Sequence, residues 1–206
     1  MSSTSATDLP ISIYLARHGQ TELNAAGALR GHLDPPLDAV GQQEAKSLAK
    51  ALATFRPALV VSSPLRRAVE TARRIAEECG LDAEVDDQLI DRDYGEWAGR
   101  PLEEVVREFG SVDMAPGVEP REAVTARALV ALDAIADRAE DGAVIVAHDA
   151  VNRLLISALD PVRFGIVEQI PQRTACFNLL RRIDGTWRIA RVDVRPERGA
   201  DGFAQR

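Results

Sequence analysis

Two histidines in this 206-residue chain stand directly after short apolar runs. "ISIYLA" leads into Arg17, His18 and Gly19, and "AVIVA" leads into His148 and Asp149. A third run, "ALVVSS", is followed by Pro64, Leu65, Arg66 and Arg67. Cations and imidazoles at the tips of buried strands must be covered by a partner or face one. A phosphate monoester dianion meets that need, because forked guanidinium donors match its oxygens and a neutral imidazole can attack phosphorus. Gly19 allows close backbone approach, and a helix start after it adds partial positive charge. These residue types at these places point to phosphoryl chemistry.

Strands and helices must hold these groups. Ile11–Ala16, Ala58–Ser63 and Ala143–Ala147 read as buried strands, apolar nearly throughout. Asp38 suits the N-cap of a helix running to about Phe55, with Leu48 and Leu52 on its apolar stripe. A second helix follows "ALVVSS", with Ser63 as cap, Pro64 at its first position and Gly80 ending it. Leu65, Ala68, Val69, Ala72, Ala76 and Cys79 share one face of it. A loop-rich middle holds "LIDRDYGEWAGRP" and a short helix near Leu102–Phe109. Arg121–Glu140 and Val151–Leu159 read as helices. Thr174–Ile183 and Trp187–Val194 read as strands joined by a tight turn at Asp184-Gly185. Residues 1–10 and 195–206 read as tails around one domain spanning 11–194.

Strands alternating with helices predict an α/β domain with a mostly parallel sheet. Ligands of such sheets bind outside the carboxyl ends of the strands. Arg17, His18, Arg67 and His148 are all delivered to that edge.

Composition narrows the partners. The net charge of −7 argues against a non-specific nucleic-acid binder. Lys46 and Lys50 are the only lysines, and neither follows a glycine-rich loop, so a nucleotide-binding loop of the Gly-Lys-Ser/Thr kind is absent. Cys79 and Cys176 are far apart, and no cluster shows metal-ligand spacing. No run approaches membrane-spanning length, and the start of the chain does not read as a signal peptide. The expectation is a soluble protein of a reducing cytoplasm, without membrane attachment.

Four segments in order, "RHGQTELN", "SSPLRRAVETA", "YGEWAG" and "VIVAHDA", resemble the histidine phosphatase superfamily, the phosphoglycerate mutase-like proteins. The resemblance runs from about Ile11 to Trp187. It implies a three-layer α/β/α domain and a phosphohistidine intermediate formed without a metal or other cofactor. By the matching positions, His18 would be the nucleophile. Arg17, Arg67 and His148 would hold the phosphoryl oxygens, with Asn24 a lesser contributor. "PGVEP" looks like the family's Pro-Gly-Gly-Glu-Ser loop, with Glu119 kept and Pro120 in place of serine. The family's arginine after the first glycine of "GALRG" is Ala28 here.

Two aspartates compete for the general acid. Asp91 stands where close relatives keep a glutamate, in Leu-x-Glu-x-x-x-Gly. Asp149 stands where the acid phosphatase and phytase branch keeps its proton donor. Asp91 is favoured, although it can also be a plain loop residue and Asp149 can simply cap the helix after it. His32 is expected on the solvent side near the mouth of the site. Cys176 and Arg182 have the Cys-x5-Arg spacing of cysteine phosphatases, but Phe177–Leu180 reads as a strand rather than a phosphate cradle. Both cysteines are expected to be core thiols.

The family's mutases carry a longer insertion after the acid motif, with a lysine and paired arginines. Ala98–Pro120 is short and has neither. The resemblance therefore implies a phosphatase acting on a small phosphorylated metabolite. Mutase-type phosphoryl transfer and a non-catalytic phosphate-binding module are the alternatives.

Overall fold

The computed structural model describes residues 10–139 and 141–196. Apart from Pro10, Arg195 and Pro196, the two expected tails lie outside the described residues, as does Glu140. In chain order the strands are β1 (Ile11–Arg17), β2 (Leu59–Ser62), β3 (Ala83–Val85), β4 (Ala143–Ala147), β5 (Phe177–Ile183) and β6 (Thr186–Val194). The longer helices are α2 (Ala39–Ala53), α3 (Arg66–Cys79), α4 (Leu102–Phe109), α5 (Arg121–Arg138) and α6 (Asp149–Leu159), with the single turns α1 (Glu22–Ala25) and α7 (Pro161–Phe164).

Side-chain alternation along β1 sets the layering. Ile13 and Leu15 point to one face and Tyr14 and Ala16 to the other, and all four are buried. A strand apolar on both faces needs cover on both. α5 and α6 supply one layer, packing Leu132, Ile135 and Leu155 against Ile13, Leu15 and Ile145. α2 and α3 supply the other, packing Leu48, Leu52 and Ile75 against Tyr14, Val144 and Val146. Fully burying each such side chain stabilises the fold by about 1.5–3 kcal/mol. The sheet order is β3-β2-β4-β1-β5-β6, parallel from β3 to β1, with β5 and β6 antiparallel. The expected α/β/α architecture with a mostly parallel sheet is what the chain adopts.

Register brings the chemistry to one edge. Ser62 pairs with Val146 and Arg17 with Ala147. Beyond them, Ser63 N donates to Val146 O at 3.0 Å, and His18 N donates to Ala147 O at 3.1 Å. Three chain segments therefore leave the sheet side by side, at Ser63, His148 and His18.

Local chemistry explains where elements stop. Asp38 caps α2 as expected, its Oδ1 accepting from Gly41 N at 2.7 Å. Gly80 ends α3 in the left-handed region, and Asp184 and Gly185 both take positive φ in the β5–β6 turn. The N-terminus of α3 departs from expectation. Its N-cap position is Leu65 and its first helical residue is Arg66, not Pro64. The Ser63 hydroxyl is engaged by His148, and Arg66 N donates instead to Asp34 Oδ1 at 2.6 Å. The strand expected from Thr174 begins at Phe177, and the helix expected to reach Glu140 ends at Arg138. β3, at three residues too short to show a strand's alternation, has no counterpart in the sequence reading.

α2 meets the loop after β1 more closely than side chains permit. A Cβ on Gly41 would stand 2.0 Å from Gln20 O, and one on Gly19 would stand 2.5 Å from Gly41 O. Both positions need glycine for close approach.

Candidate active site

His18 is fully buried, and its ring is oriented by its own neighbour: Nδ1 lies 2.7 Å from Gly19 O. A carbonyl can only accept, so Nδ1 carries the proton and Nε2 keeps its lone pair. Arg67 Nε donates to that Nε2 at 3.3 Å. His148, also fully buried, tilts toward it with ring centroids 5.1 Å apart. Its Nε2 lies 2.6 Å from Ser63 Oγ, and its Nδ1 lies 3.8 Å from Asp91 Oδ2. Burial first, then the neighbouring cations, hold both imidazoles well below the usual histidine pKa, so both are neutral near pH 7.

Arg67 is buried and heavily committed. Besides His18 it donates to Leu33 O at 2.7 Å, Gly31 O at 2.9 Å and Asp91 Oδ2 at 3.0 Å. Arg17 is nearly buried and donates from Nη1 to Gln172 O. Asn24 closes a capping box, its Oδ1 accepting from Thr21 N and Thr21 Oγ1 at 3.0 and 2.8 Å. Among the described residues, Arg17 Nε, Asn24 Nδ2, Arg30 Nε and His148 Nδ1 are buried nitrogens with no hydrogen-bond partner within the protein. Buried polar groups are rarely left so.

The two acid candidates part company. Asp91 is buried between Arg67 and His148, with Oδ1 accepting from Arg92 N at 2.9 Å. Asp149 is the first residue of α6 but does not cap it. The N-cap position is His148, and Asp149 Oδ1 accepts from Arg153 Nε at 2.6 Å. The structure thus brings Arg17, His18, Arg67, Asp91 and His148 together and turns Asp149 toward Arg153.

The fold also brings to the site residues to which the sequence assigns no role there, or a different one. Ser63 was read as a helix cap. Arg30 contributes positive charge felt by His18, His148, Arg17 and Arg67. Arg127 on α5 donates to Gln88 O, Ile90 O and Asp91 O and grips the Glu119 carboxylate, whose Oε2 accepts from Asp93 N at 3.0 Å. His32 is solvent-exposed as expected, yet its Nε2 lies 3.0 Å from Asp91 O. Arg127, Glu119 and His32 together hold the main chain that presents Asp91. One more arginine or histidine among many polar surface positions carries no sequence signal, so only the fold reveals these roles.

A cavity of about 550 Å³ opens beside the buried groups, walled by Leu29, Leu102, Val106 and Leu154 and edged by Arg30 and Asp149. Of its arginines, Arg92 pairs with Asp113, Arg121 with Asp113 and Glu168, and Arg153 with Asp149. Arg30 pairs with no carboxylate among the described residues; its Nη1 donates to Ala28 O at 3.0 Å. Cys176 is buried, with its thiol pKa raised by burial, and Arg182 pairs with Asp137 instead. Among the described residues no cluster of His, Cys, Asp or Glu could hold a metal ion, and no helix is long and apolar enough to cross a membrane.

A family model described as the histidine phosphatase superfamily, branch 1, matches residues 13–195. An uncharacterized phosphatase, PhoE, of Bacillus subtilis is 30% identical over 187 residues, covering 89% of this chain and 94% of that protein. A glucosyl-3-phosphoglycerate phosphatase of Mycobacterium tuberculosis is 39% identical over 87 residues, or 42% of this chain and 39% of that protein. The solved native structure of a mycobacterial glucosyl-3-phosphoglycerate phosphatase superposes with a TM-score of 0.78 at 25% identity, covering 90% of this chain and all of that one.

Proposed function

The chain belongs to the histidine phosphatase superfamily, and from that membership we propose that it is a phosphatase hydrolysing a small phosphomonoester through a phosphohistidine at His18. The observation that carries this reading is the set of unpartnered buried nitrogens on Arg17, Arg30 and His148 around His18, an imidazole whose unprotonated Nε2 receives only a 3.3 Å hydrogen bond from Arg67 Nε. A phosphoryl group satisfies those nitrogens. Most catalysis of phosphoryl transfer comes from such positioning and charge stabilisation.

In the first step His18 Nε2 bonds to phosphorus and the ester P–O bond breaks. Arg67 Nε, now on His18 Nε2, moves its hydrogen bond to a phosphoryl oxygen. Gly19 O, accepting from Nδ1, steadies the positive charge that His18 acquires. Asp91 takes up a proton as the phosphomonoester enters and passes it to the leaving oxygen. In the second step water attacks phosphorus, the N–P bond breaks, and Asp91 takes up the water's proton. Inorganic phosphate leaves and His18 is neutral again. No step calls for a metal.

The leaving group occupies the cavity beside Arg30. Its apolar walls and internally paired arginines suit an uncharged or singly charged organic moiety of modest size. The relatives place glucosyl-3-phosphoglycerate on the panel of phosphomonoesters to be screened. Brief incubation with a ³²P-labelled substrate and a denaturing quench tests the mechanism. Acid-labile, alkali-stable label should appear on the wild type and be absent from His18→Ala. Label retained on His18→Ala, or full turnover by that variant, overturns it.

A further inference from the structure

We propose that Ser63 is a positioning residue, its hydroxyl fixing His148 as the tautomer that points an N–H from Nδ1 at the phosphoryl group; this rests on the reading of the site given above. The argument starts from the hydrogens available to Ser63. Its Oγ lies 2.6 Å from His148 Nε2 and accepts from Leu65 N at 3.3 Å. Ser63 is fully buried. No other acceptor for its hydroxyl proton stands among the described residues.

Two arrangements are possible across the 2.6 Å contact. If His148 donated from Nε2, the Ser63 proton would be buried without an acceptor, at a cost of about 1–3 kcal/mol. The Nδ1 lone pair would then face the Asp91 carboxylate 3.8 Å away, an acceptor toward an acceptor. If Ser63 donates, its proton is satisfied and His148 Nε2 is the acceptor. A neutral imidazole then carries its proton on Nδ1. That is the buried ring atom left without a partner in the protein. The second arrangement settles the serine, the ring and the carboxylate at once.

His18 and His148 would therefore bear the same protonation yet work through opposite atoms. His18 offers the bare Nε2 and His148 the protonated Nδ1. The serine at the head of "SPLRRAVETA", which a linear reading takes for a helix cap, serves the second histidine instead.

The test uses the full chain with ¹⁵N-labelled histidine. With only three histidines present, two-bond ¹⁵N–¹H spectra resolve each ring's tautomer, and a His148→Asn control assigns its signals. The wild type should show His148 protonated at Nδ1. Ser63→Ala should shift that signal toward the Nε2–H form or a mixture, and lower kcat by about tenfold, the scale of one hydrogen bond. Ser63→Thr, which restores the hydroxyl, should recover both. An Nε2–H tautomer in the wild type overturns the proposal without any variant. So does a His148 signal unchanged in a folded Ser63→Ala. The tautomer is read without turnover, so a protein that lacks phosphatase activity but behaves as described refutes the function and leaves the role of Ser63 standing.

Discussion

His18 turns Nε2 toward Arg67, and His148 turns Nδ1 toward Asp91, so two rings 5.1 Å apart address one buried space through opposite nitrogens. Each ring's outer nitrogen is held by a group that the sheet edge supplies, Gly19 O for one and Ser63 Oγ for the other. The orientation of both rings is therefore set by strand register rather than by contact with each other.

Burial of two neutral imidazoles makes stability depend on pH. Both native pKa values are depressed, while in the unfolded chain each ring titrates near about 6.5. Above that value neither state binds these protons, and the rings leave stability unchanged. Below it the unfolded state binds up to two more protons. Stability should then fall by as much as about 2.7 kcal/mol per pH unit until the native rings titrate. Denaturant titrations from about pH 5 to about pH 7 should show His18→Gln losing roughly half of this slope. An unaltered slope would contradict the assignment.

The acid can be identified by leaving group. Protonating the departing oxygen matters for an alkoxide and little for p-nitrophenolate. Asp91→Asn should slow an alkyl phosphate by about a hundredfold to ten-thousandfold and the aryl ester far less. Asp149→Asn should lose less and treat both substrates alike, because Asp149 is tied to Arg153. The reverse pattern would move the acid to Asp149.

Arg30 is expected to bind the substrate's anionic group. Arg30→Met keeps the length of the side chain and removes the charge. KM for a phosphomonoester and Ki for inorganic phosphate should both rise by about tenfold to a hundredfold, as for one charge-assisted hydrogen bond. Inhibition constants equal to those of the wild type would remove Arg30 from the site.

Exhaustive chelation should leave activity intact, since the proposed chemistry draws only on side chains. Loss of turnover, restored by a divalent ion, would call for a different mechanism.

Much of this was legible because the informative signals are local. β1, β2 and β4 are short apolar runs, and each ends on or just before a group of the site. The stripe of α3 and the Asp38 cap follow from spacing and side-chain chemistry alone. What escaped notice depends on tertiary contact. Ser63 before proline has every local mark of a cap, but a histidine 85 positions away takes its hydroxyl. Arg30 and Arg127 look like any surface arginine until folding places one at the cavity edge and the other beneath the Asp91 loop. β3 is only three residues, Ala83, Glu84 and Val85, too few to show a period, and it forms where β2 offers it an edge.

The contact between Gly19 and Gly41 also limits how this sequence can change over time. Helix α2 carries no residue proposed to meet substrate, yet any side chain at position 41 would collide with the Gln20 backbone, two residues from His18. Drift along that helix is free on its solvent face, limited by core packing at Leu48 and Leu52, and closed at position 41, where a Cβ would meet backbone. Mutational tolerance at Gly41 thus reports on the geometry of a reaction centre from a position that chemistry alone would never single out.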